Sequence, residues 1–259
     1  MINVLNHPFF RHSNGHSSKI IEFFGIDNVL LSDAVSINRR MSPVFLCFTN
    51  RCGSNALAED IGFLDGCGFF GEMLNFDVVI NHSQKKKLDH FHHYLDHIVA
   101  DANLRIPVIK ASFEHLGFWY ESGYLKNYFL APKFILLERR DLLEQAISLF
   151  IADTTKQWAS FQNSSAPPPE LDSDAILTIM NSISSENSKF KTFFSLMGQS
   201  YLHLIYERYC RDRMGVIGQV AGLLEIDFLP EPFPAKRLEK QSMTEKDLYK
   251  RKVIKKYKI

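Results

Sequence analysis

The sequence predicts an α/β fold in which a central parallel sheet is flanked by helices, and three observations carry that reading. Two apolar runs of strand length, residues 44–48 and 132–138, each end in a polar loop that holds arginine. Each loop passes at once into a stretch with helical periodicity. A third short apolar run, residues 107–110, lies between them. Strands that alternate with helices need crossover connections, and these give parallel pairing with helices on both faces. At 259 residues the chain is long enough for one sizeable core, so one domain spanning residues 1–259 is expected.

The elements follow in order. Residues 1–42 carry scattered histidines and an amphipathic stretch near residues 20–31, and read as a packed N-terminal extension. From Val44 the pattern is strand, loop, helix, with Leu57, Ile61 and Leu64 spaced to share one helical face. Residues 84–98 read as a polar helix. Residues 132–138 make the next clear strand and 141–151 the next clear helix, with Leu143, Ala146, Ile147 and Phe150 on its apolar side. Residues 162–174 gather Asn, Ser, Asp and three consecutive prolines, the composition of a loop or mobile lid. Helical pattern returns near Ala175, residues 201–206 read as a last strand, and residues 243–259 form a basic tail.

Composition narrows the function classes. Hydrophobic content of 46% and charged content of 23% are ordinary for a globular protein, and a net charge of +1 argues against coating nucleic acid. The 22 phenylalanines suit an aromatic core or an apolar groove, and abundance alone does not separate the two. Cys47, Cys52, Cys67 and Cys210 form no close pair, which supports neither a zinc site nor a disulfide framework and points to a reducing compartment. The start of the chain turns polar too soon for a secretory signal. No run approaches the roughly 18 apolar residues of a membrane span, so a cytoplasmic protein is expected.

The chemistry concentrates at two strand-to-helix mouths. In the first, Arg51-Cys52-Gly53-Ser54-Asn55, the backbone N–H groups of the incoming helix are unpaired and sit at the positive end of its dipole. Gly53 lets an anion approach the main chain, Arg51 supplies a permanent positive charge, and Ser54 is placed as the cap. The pattern is not G-x-x-x-x-G-K-[ST], because the basic residue precedes the glycine, so a magnesium-dependent kinase or ATPase fits poorly. An ordinary capped turn fits this segment as well.

In the second mouth, Arg139-Arg140-Asp141, Asp141 is placed as N-cap with Glu144 completing a capping box. Ser148 lies about two turns further on the same side, so Arg140 and Ser148 can meet one anion. On spacing alone, the alternative reading has Ser148 as a small surface residue and the arginines as salt-bridge partners. Two anion sites in one sheet suit a ligand with phosphate at both ends.

Together, Arg51-Cys52-Gly53-Ser54 and Arg140 with Ser148 eight residues on resemble the two signatures of sulfotransferases that use 3′-phosphoadenosine 5′-phosphosulfate (PAPS). Arg139-Arg140-Asp141, then Ala146-Ile147-Ser148-Leu149, then Thr155 and Trp158, look most like the bacterial trehalose and lipooligosaccharide branch. The resemblance spans roughly residues 44–158. It implies the P-loop-like nucleotide-binding sulfotransferase fold and transfer of a sulfuryl group to a hydroxyl of a carbohydrate or glycolipid.

By the same resemblance Arg51 binds the 5′-phosphate and sulfuryl oxygens, and Cys52, Gly53, Ser54 and Asn55 supply donors around it. Asn55 departs from the family's serine or threonine, though its amide still donates. Arg140 and Ser148 match the 3′-phosphate pair. Ala56 replaces the usual adenine-stacking aromatic, which leaves Tyr206, in a Tyr206-Glu207 pair, to supply stacking.

Glu72, 21 residues beyond Arg51, occupies the position of the branch's carboxylate base, and apolar neighbours are expected to raise its pKa. Its other reading is a helix-capping or surface glutamate. Lys110 points toward the sulfuryl group or merely ends a strand, and Ala111 and Ser112 leave the histidine slot of the cytosolic animal branch empty. No metal is required. A small-molecule or glycolipid acceptor, no nucleic acid and a homodimer are the implied partners. The rivals are a nucleotide-dependent phosphotransferase and a nucleotide-binding protein impaired in catalysis.

Weaker features remain. His90, His93 and His97 share a helical face, with His92 beside them, and read as a solvated surface more readily than as metal ligands. Lys85, Lys86 and Lys87 read as solvent-exposed. The basic tail reads as a solvated helix, a cover over the nucleotide end of the site, or a contact for anionic headgroups at a membrane surface.

Overall fold

The computed structural model describes residues 15–31, 41–102, 106–158, 169–228, 234 and 244–257. The elements run α1 (His16–Phe24), α2 (Ile26–Val29), β1 (Val44–Phe48), α3 (Ser54–Gly62), β2 (Cys67–Gly71), α4 (Phe76–Lys86), α5 (Phe91–Ala102) and β3 (Ile106–Ala111). They continue with α6 (Phe113–Glu121), α7 (Tyr124–Asn127), β4 (Lys133–Glu138), α8 (Leu142–Thr155), α9 (Ser173–Leu196), β5 (Leu202–Ile205), α10 (Tyr206–Arg211), α11 (Arg213–Leu224) and α12 (Thr244–Tyr257).

Five strands form one sheet in the order β2-β3-β1-β4-β5, and every pairing is parallel. β1 lies at the centre, with Val44 level with Val108 on one side and Lys133 on the other. The chain leaves β1 toward β2 and β3 and later crosses to β4 and β5. The order therefore reverses around β1, and a crevice opens at the carboxyl end of that strand.

All five residues of β1 are buried, and they alternate between two cores. Phe45 and Cys47 join an aromatic cluster with Trp119, Phe134 and Phe194, while Val44, Leu46 and Phe48 join an aliphatic cluster with Leu57, Ile61 and Val220. A strand covered on both faces reads as a continuous apolar run, which is why residues 44–48 show no polar alternation. Leu57, Ile61 and Leu64 are all buried, as their spacing predicts. The phenylalanines are largely core: Phe45 stacks on Phe134 at 5.5 Å, and Phe91 meets Phe118 edge-on at 5.2 Å.

Several expectations need correction. The single polar helix over residues 84–98 is two helices, broken where Lys87 turns left-handed at φ 57° and the amide N–H of Leu88 returns to the Ser83 carbonyl. The second of these, α5, buries Phe91, Tyr94 and Leu95. The short strand β2 and the buried helix α6 have no counterpart in the sequence reading. Of the loop expected at 162–174, residues 162–168 lie outside the described residues, and Ser173 already begins α9 under an Asp172 cap. The described part of the N-terminal segment is core, since Ile20, Phe24, Val29 and Leu31 are buried.

The basic tail also differs from a solvated helix. Tyr249 and Val253 of α12 are buried against Ala146, Ile147 and Ile151 of α8 and Ile176 and Ile183 of α9. Lys250 Nζ donates to Asp141 Oδ2 at 2.5 Å, and Lys256 Nζ to Asp174 Oδ2 at 2.7 Å. Residue 243 and residues 258–259 lie outside the described residues.

Candidate active site

The candidate residues gather at the carboxyl edge of the sheet. Arg51 follows β1, Glu72 follows β2, Lys110 is the penultimate residue of β3, Arg139 and Arg140 follow β4, and Tyr206 follows β5. In an open parallel sheet this edge is where ligands bind, beside the strand at which the order reverses.

The first mouth is built on two left-handed residues. Arg51 has φ 66° and Gly53 φ 90°. A non-glycine residue there is uncommon and carries strain, which the surrounding contacts must hold. The amide of Gln145 does so from α8, its Nε2 donating to Thr49 Oγ1 at 3.0 Å and to the Asn50 carbonyl at 2.8 Å. The N-cap of α3 is Gly53, with no side-chain cap, whereas Ser54 is the first helical residue. The expected Ser54 cap is thus replaced by a bare glycine, because the left-handed turn carries the serine past the cap position. Helices α4, α6, α8, α9 and α11 are each closed by an Asn, Ser or Asp side chain. At α3 no side chain caps the opening amides, and the Ser54 backbone meets the Cys52 thiol instead.

A Cβ on Gly53 would run into the Tyr206 ring, so that ring forms a wall of the loop. The Arg139 guanidinium lies 5.1 Å from the same ring's centroid. Arg51 Nε donates to Ser148 Oγ at 3.1 Å, and Arg51 Nη1 to the Trp158 carbonyl at 2.5 Å. Burial, then the charge of Arg139, holds the Arg51 guanidinium below its ordinary pKa. Of these two causes, the Arg139 charge is the one that a bound anion would relieve. Burial pushes the Cys52 thiol up to about 11, so that side chain packs rather than reacts.

The second mouth is closed differently. Asp141 Oδ1 accepts the Glu144 N–H at 2.9 Å, but the capping box is incomplete, because the Glu144 carboxylate pairs with Arg139 Nη2 at 2.7 Å. Glu207 takes its place, accepting the N–H groups of Arg140 and Asp141 at 2.9 and 3.0 Å. Burial pushes the Glu207 carboxyl up, yet those two amides and Arg139 outweigh it, and its pKa stays below the ordinary value. Arg139 is buried and bound into this frame, whereas Arg140 is exposed beside the helix mouth. Ser148 is buried and accepts from Arg51, which makes it a bridge between the two mouths.

A third group completes the edge. Lys110, 4% exposed, donates from Nζ to Glu72 Oε1 at 2.7 Å and to Asn55 Oδ1 at 2.5 Å, and its ammonium lies 4.3 Å from the Phe48 ring centroid. Glu72 is neither a helix cap nor a free surface group. Burial raises its pKa, but the charge and hydrogen bond of Lys110 outweigh burial, and the net shift is downward. This reverses the expected rise: the neighbour that decides is a cation, not the apolar side chains. Glu72 is therefore ionised at neutral pH.

The salt-bridge reading of the second mouth's arginines holds for Arg139, which pairs with Glu144 and Glu207, whereas Gln145 and the Glu207 carboxylate, which hold the two mouths in place, have no counterpart in the sequence reading. It also missed Asp60, a buried carboxylate that accepts from Arg213 Nε and Nη2 and from the Tyr209 hydroxyl, each at 2.6 Å, and ties α3 to α10 and α11. The Tyr206-Glu207 pair was the available signal, but it drew attention to the ring rather than the carboxylate. The rings of His90, His92 and His93 lie together, with centroids 4.1 to 5.2 Å apart, and His93 pairs with Asp89 at 3.3 Å, whereas His97 faces His82 at 3.3 Å. Among the described residues no three His, Cys, Asp or Glu side chains are grouped to hold a metal ion. Lys85, Lys86 and Lys87 are exposed, as read. No helix among them is long and apolar enough to cross a membrane.

Comparison with known proteins adds to this geometry. The family model described as Stf0 sulphotransferase matches residues 105–258. No curated protein matches the chain. A sulfotransferase from Alicyclobacillus acidocaldarius is similar in structure at TM-score 0.52 and 12% identity, over 81% of this chain and 90% of that one. The sulfotransferase domain of the Synechococcus PCC 7002 olefin synthase is similar at TM-score 0.52 and 14% identity, over 83% and 86%. At such identities the likeness concerns the fold, which is the P-loop-like α/β fold of these proteins.

Proposed function

We propose a function from one premise: the chain belongs to the Stf0 sulphotransferase family. It transfers the sulfuryl group of PAPS to a hydroxyl of a carbohydrate or glycolipid acceptor. The observation that carries this reading is the meeting, on one sheet edge, of an uncapped helix mouth with Arg51, a second mouth with Arg140 and Ser148, and the Glu72–Lys110 pair. The acceptor class rests on the resemblance to the trehalose and lipooligosaccharide branch. A cytoplasmic homodimer belongs to the same proposal.

The residues divide the work. The opening amides of α3, with Gly53, Ser54 and Asn55, hold the 5′-phosphate, and Arg51 spans from it to the sulfuryl oxygens. Arg140 and Ser148 hold the 3′-phosphate, and the Tyr206 ring bounds the nucleotide end. Glu72 accepts the hydroxyl proton as the acceptor attacks sulfur in line. Lys110 shifts from Glu72 toward the bridging oxygen, where charge collects as the S–O bond breaks. Before ligand enters, the Lys110 contact keeps Glu72 ionised. Its loss during transfer makes the carboxylate more basic just as a proton arrives.

The test is to incubate the protein with sulfur-labelled PAPS and a panel of saccharides and glycolipids and to follow the label. Glu72→Gln is expected to lower transfer by about 10² or more with nucleotide affinity kept. Full transfer by that variant would remove Glu72 from the reaction. Preference for ATP over PAPS would sink the reading as a whole.

A further inference from the structure

Helix α1 reaches the site, although the proposed mechanism gives it no part. It is anchored by Ile20 and Phe24, which are buried in the aromatic core. Its first turn then touches both elements that carry the Glu72–Lys110 pair. His16 Nδ1 accepts the Phe76 N–H at 3.2 Å, at the start of α4 and four residues beyond Glu72. The next N–H, that of Ser17, donates to Glu114 Oε1 at 2.8 Å, in the first turn of α6 and four residues beyond Lys110.

The link from Glu72 to α4 is short and closely held. Gly71 turns left-handed at φ 67° as β2 ends. The Glu72 carbonyl accepts the Asn75 N–H at 3.0 Å, and the Met73 carbonyl accepts from the Tyr94 hydroxyl at 2.9 Å. Met73 and Leu74 are buried. The first amides of α4 have no partner within the helix. Asn75 Oδ1 takes the Asp77 N–H at 3.1 Å, and His16 takes the Phe76 N–H. The Phe76 ring is held as well, with Lys19 Nζ 3.8 Å and the His16 ring 5.5 Å from its centroid. On α6 the His16 ring meets the buried ring of His115 edge-on at 5.6 Å.

We propose that His16 is a positioning residue of the transfer site, holding the loop from which Glu72 receives the acceptor proton. The inference rests on the sulfuryl-transfer reading above. Before ligand enters, the Glu72 carboxylate is held through its side chain, by Lys110 at 2.7 Å. In transfer Lys110 turns to the bridging oxygen, and the carboxylate is then placed by the backbone that carries it. β2 stands at the edge of the sheet, with β3 its one neighbouring strand among the described residues. The bracing that a second strand would give comes instead from the Tyr94 hydroxyl and the His16 ring. It matters because a misplacement of about 1 Å at a reacting group costs up to about 10²-fold in rate.

Two readouts test it. In His16→Leu, kcat for transfer from labelled PAPS to the best acceptor of the saccharide panel is expected to fall about tenfold or more. The Kd for adenosine 3′,5′-bisphosphate should stay within about twofold, because the nucleotide mouths lie on other loops. His16→Asn keeps an acceptor oxygen near the place of Nδ1 and should restore kcat to within about threefold of the unaltered protein. An unchanged kcat in His16→Leu, or an equal loss in both variants, would overturn the proposal and leave His16 a packing residue.

The second readout needs no transfer. Amide hydrogen exchange at Asn75 and Phe76 should be about tenfold faster or more in His16→Leu and near the unaltered rate in His16→Asn, with the β1 and β4 amides unchanged in both. Unaltered exchange at Asn75 in His16→Leu means that the loop does not depend on His16, and the proposal fails. Faster exchange throughout the sheet marks a general loss of stability and equally sinks it. If the unaltered protein transfers nothing from PAPS, the functional reading is what fails, and the exchange rates still decide whether His16 holds the Glu72 loop.

Discussion

The two helix mouths of this molecule use arginine in opposite ways. At α3 the cap is a bare glycine, no side chain caps the first amides, and Arg51 leans across to Ser148 and Trp158. At α8 the cap is Asp141, the amides before the helix are taken by Glu207, and Lys250 braces the Asp141 carboxylate from α12. In the proposed reading, the first mouth offers an anion its main chain, and the second offers side chains. The lesson is that helix dipole and arginine, present at both, do not alone make a phosphate cradle. What decides is whether the protein has already spent the amides on its own carboxylates.

The comparison can be broken by variants taken from the largest expected effect to the smallest. Arg51→Ala should lower transfer by about 10³, since it removes the charge aimed at the reacting group. A loss matched by Arg140→Ala would show that the two mouths are equivalent. Instead, Arg140→Ala should weaken a 3′-phosphorylated nucleotide by roughly 2 kcal/mol and its 3′-dephospho form hardly at all, read by calorimetry.

Gly53→Ala probes the open mouth through its backbone. It places a Cβ against Tyr206 at a left-handed position and should cost about 2 kcal/mol of stability, seen in denaturant unfolding. At the closed mouth, Asp141→Ala removes a cap worth about 1 kcal/mol. It should leave binding at the first mouth unchanged. A larger loss of nucleotide affinity from Asp141→Ala than from Arg140→Ala would invert the roles assigned to the two mouths.

Acid adds a finer test of the same edge. The pKa of His115 is lowered on folding, so the unfolded chain binds more protons than the folded one between its ordinary value of 6.5 and about 4. Stability contributed by the neutral ring is full above that window and is lost as pH falls through it. His115→Phe should flatten that part of the stability profile. The lowered Glu72 adds its own loss only further down, below its ordinary 4.5.

What the sequence made legible was local. Val44–Phe48, Gly53 and Arg51 lie within ten residues, and an apolar run, a glycine and an arginine there can be read without knowing what packs around them. The Asp141 cap is local too. What stayed hidden depends on topology. Gln145 pins a loop 95 residues earlier, Arg51 meets Ser148 across 97, and Lys110 meets Glu72 across 38. Only the parallel register brings these strand ends to one edge. The pKa of Glu72 was misjudged for the same reason, because the apolar neighbours are visible in sequence and Lys110 is not.

The central claim is that both mouths hold one nucleotide phosphorylated at its two ends, and competitive binding tests it most directly. The account expects adenosine 3′,5′-bisphosphate to bind at least about tenfold more tightly than AMP, an advantage of roughly 1.4 kcal/mol, and expects Arg140→Ala to abolish it. Equal affinity for the two nucleotides, or an advantage that survives Arg140→Ala, would contradict it.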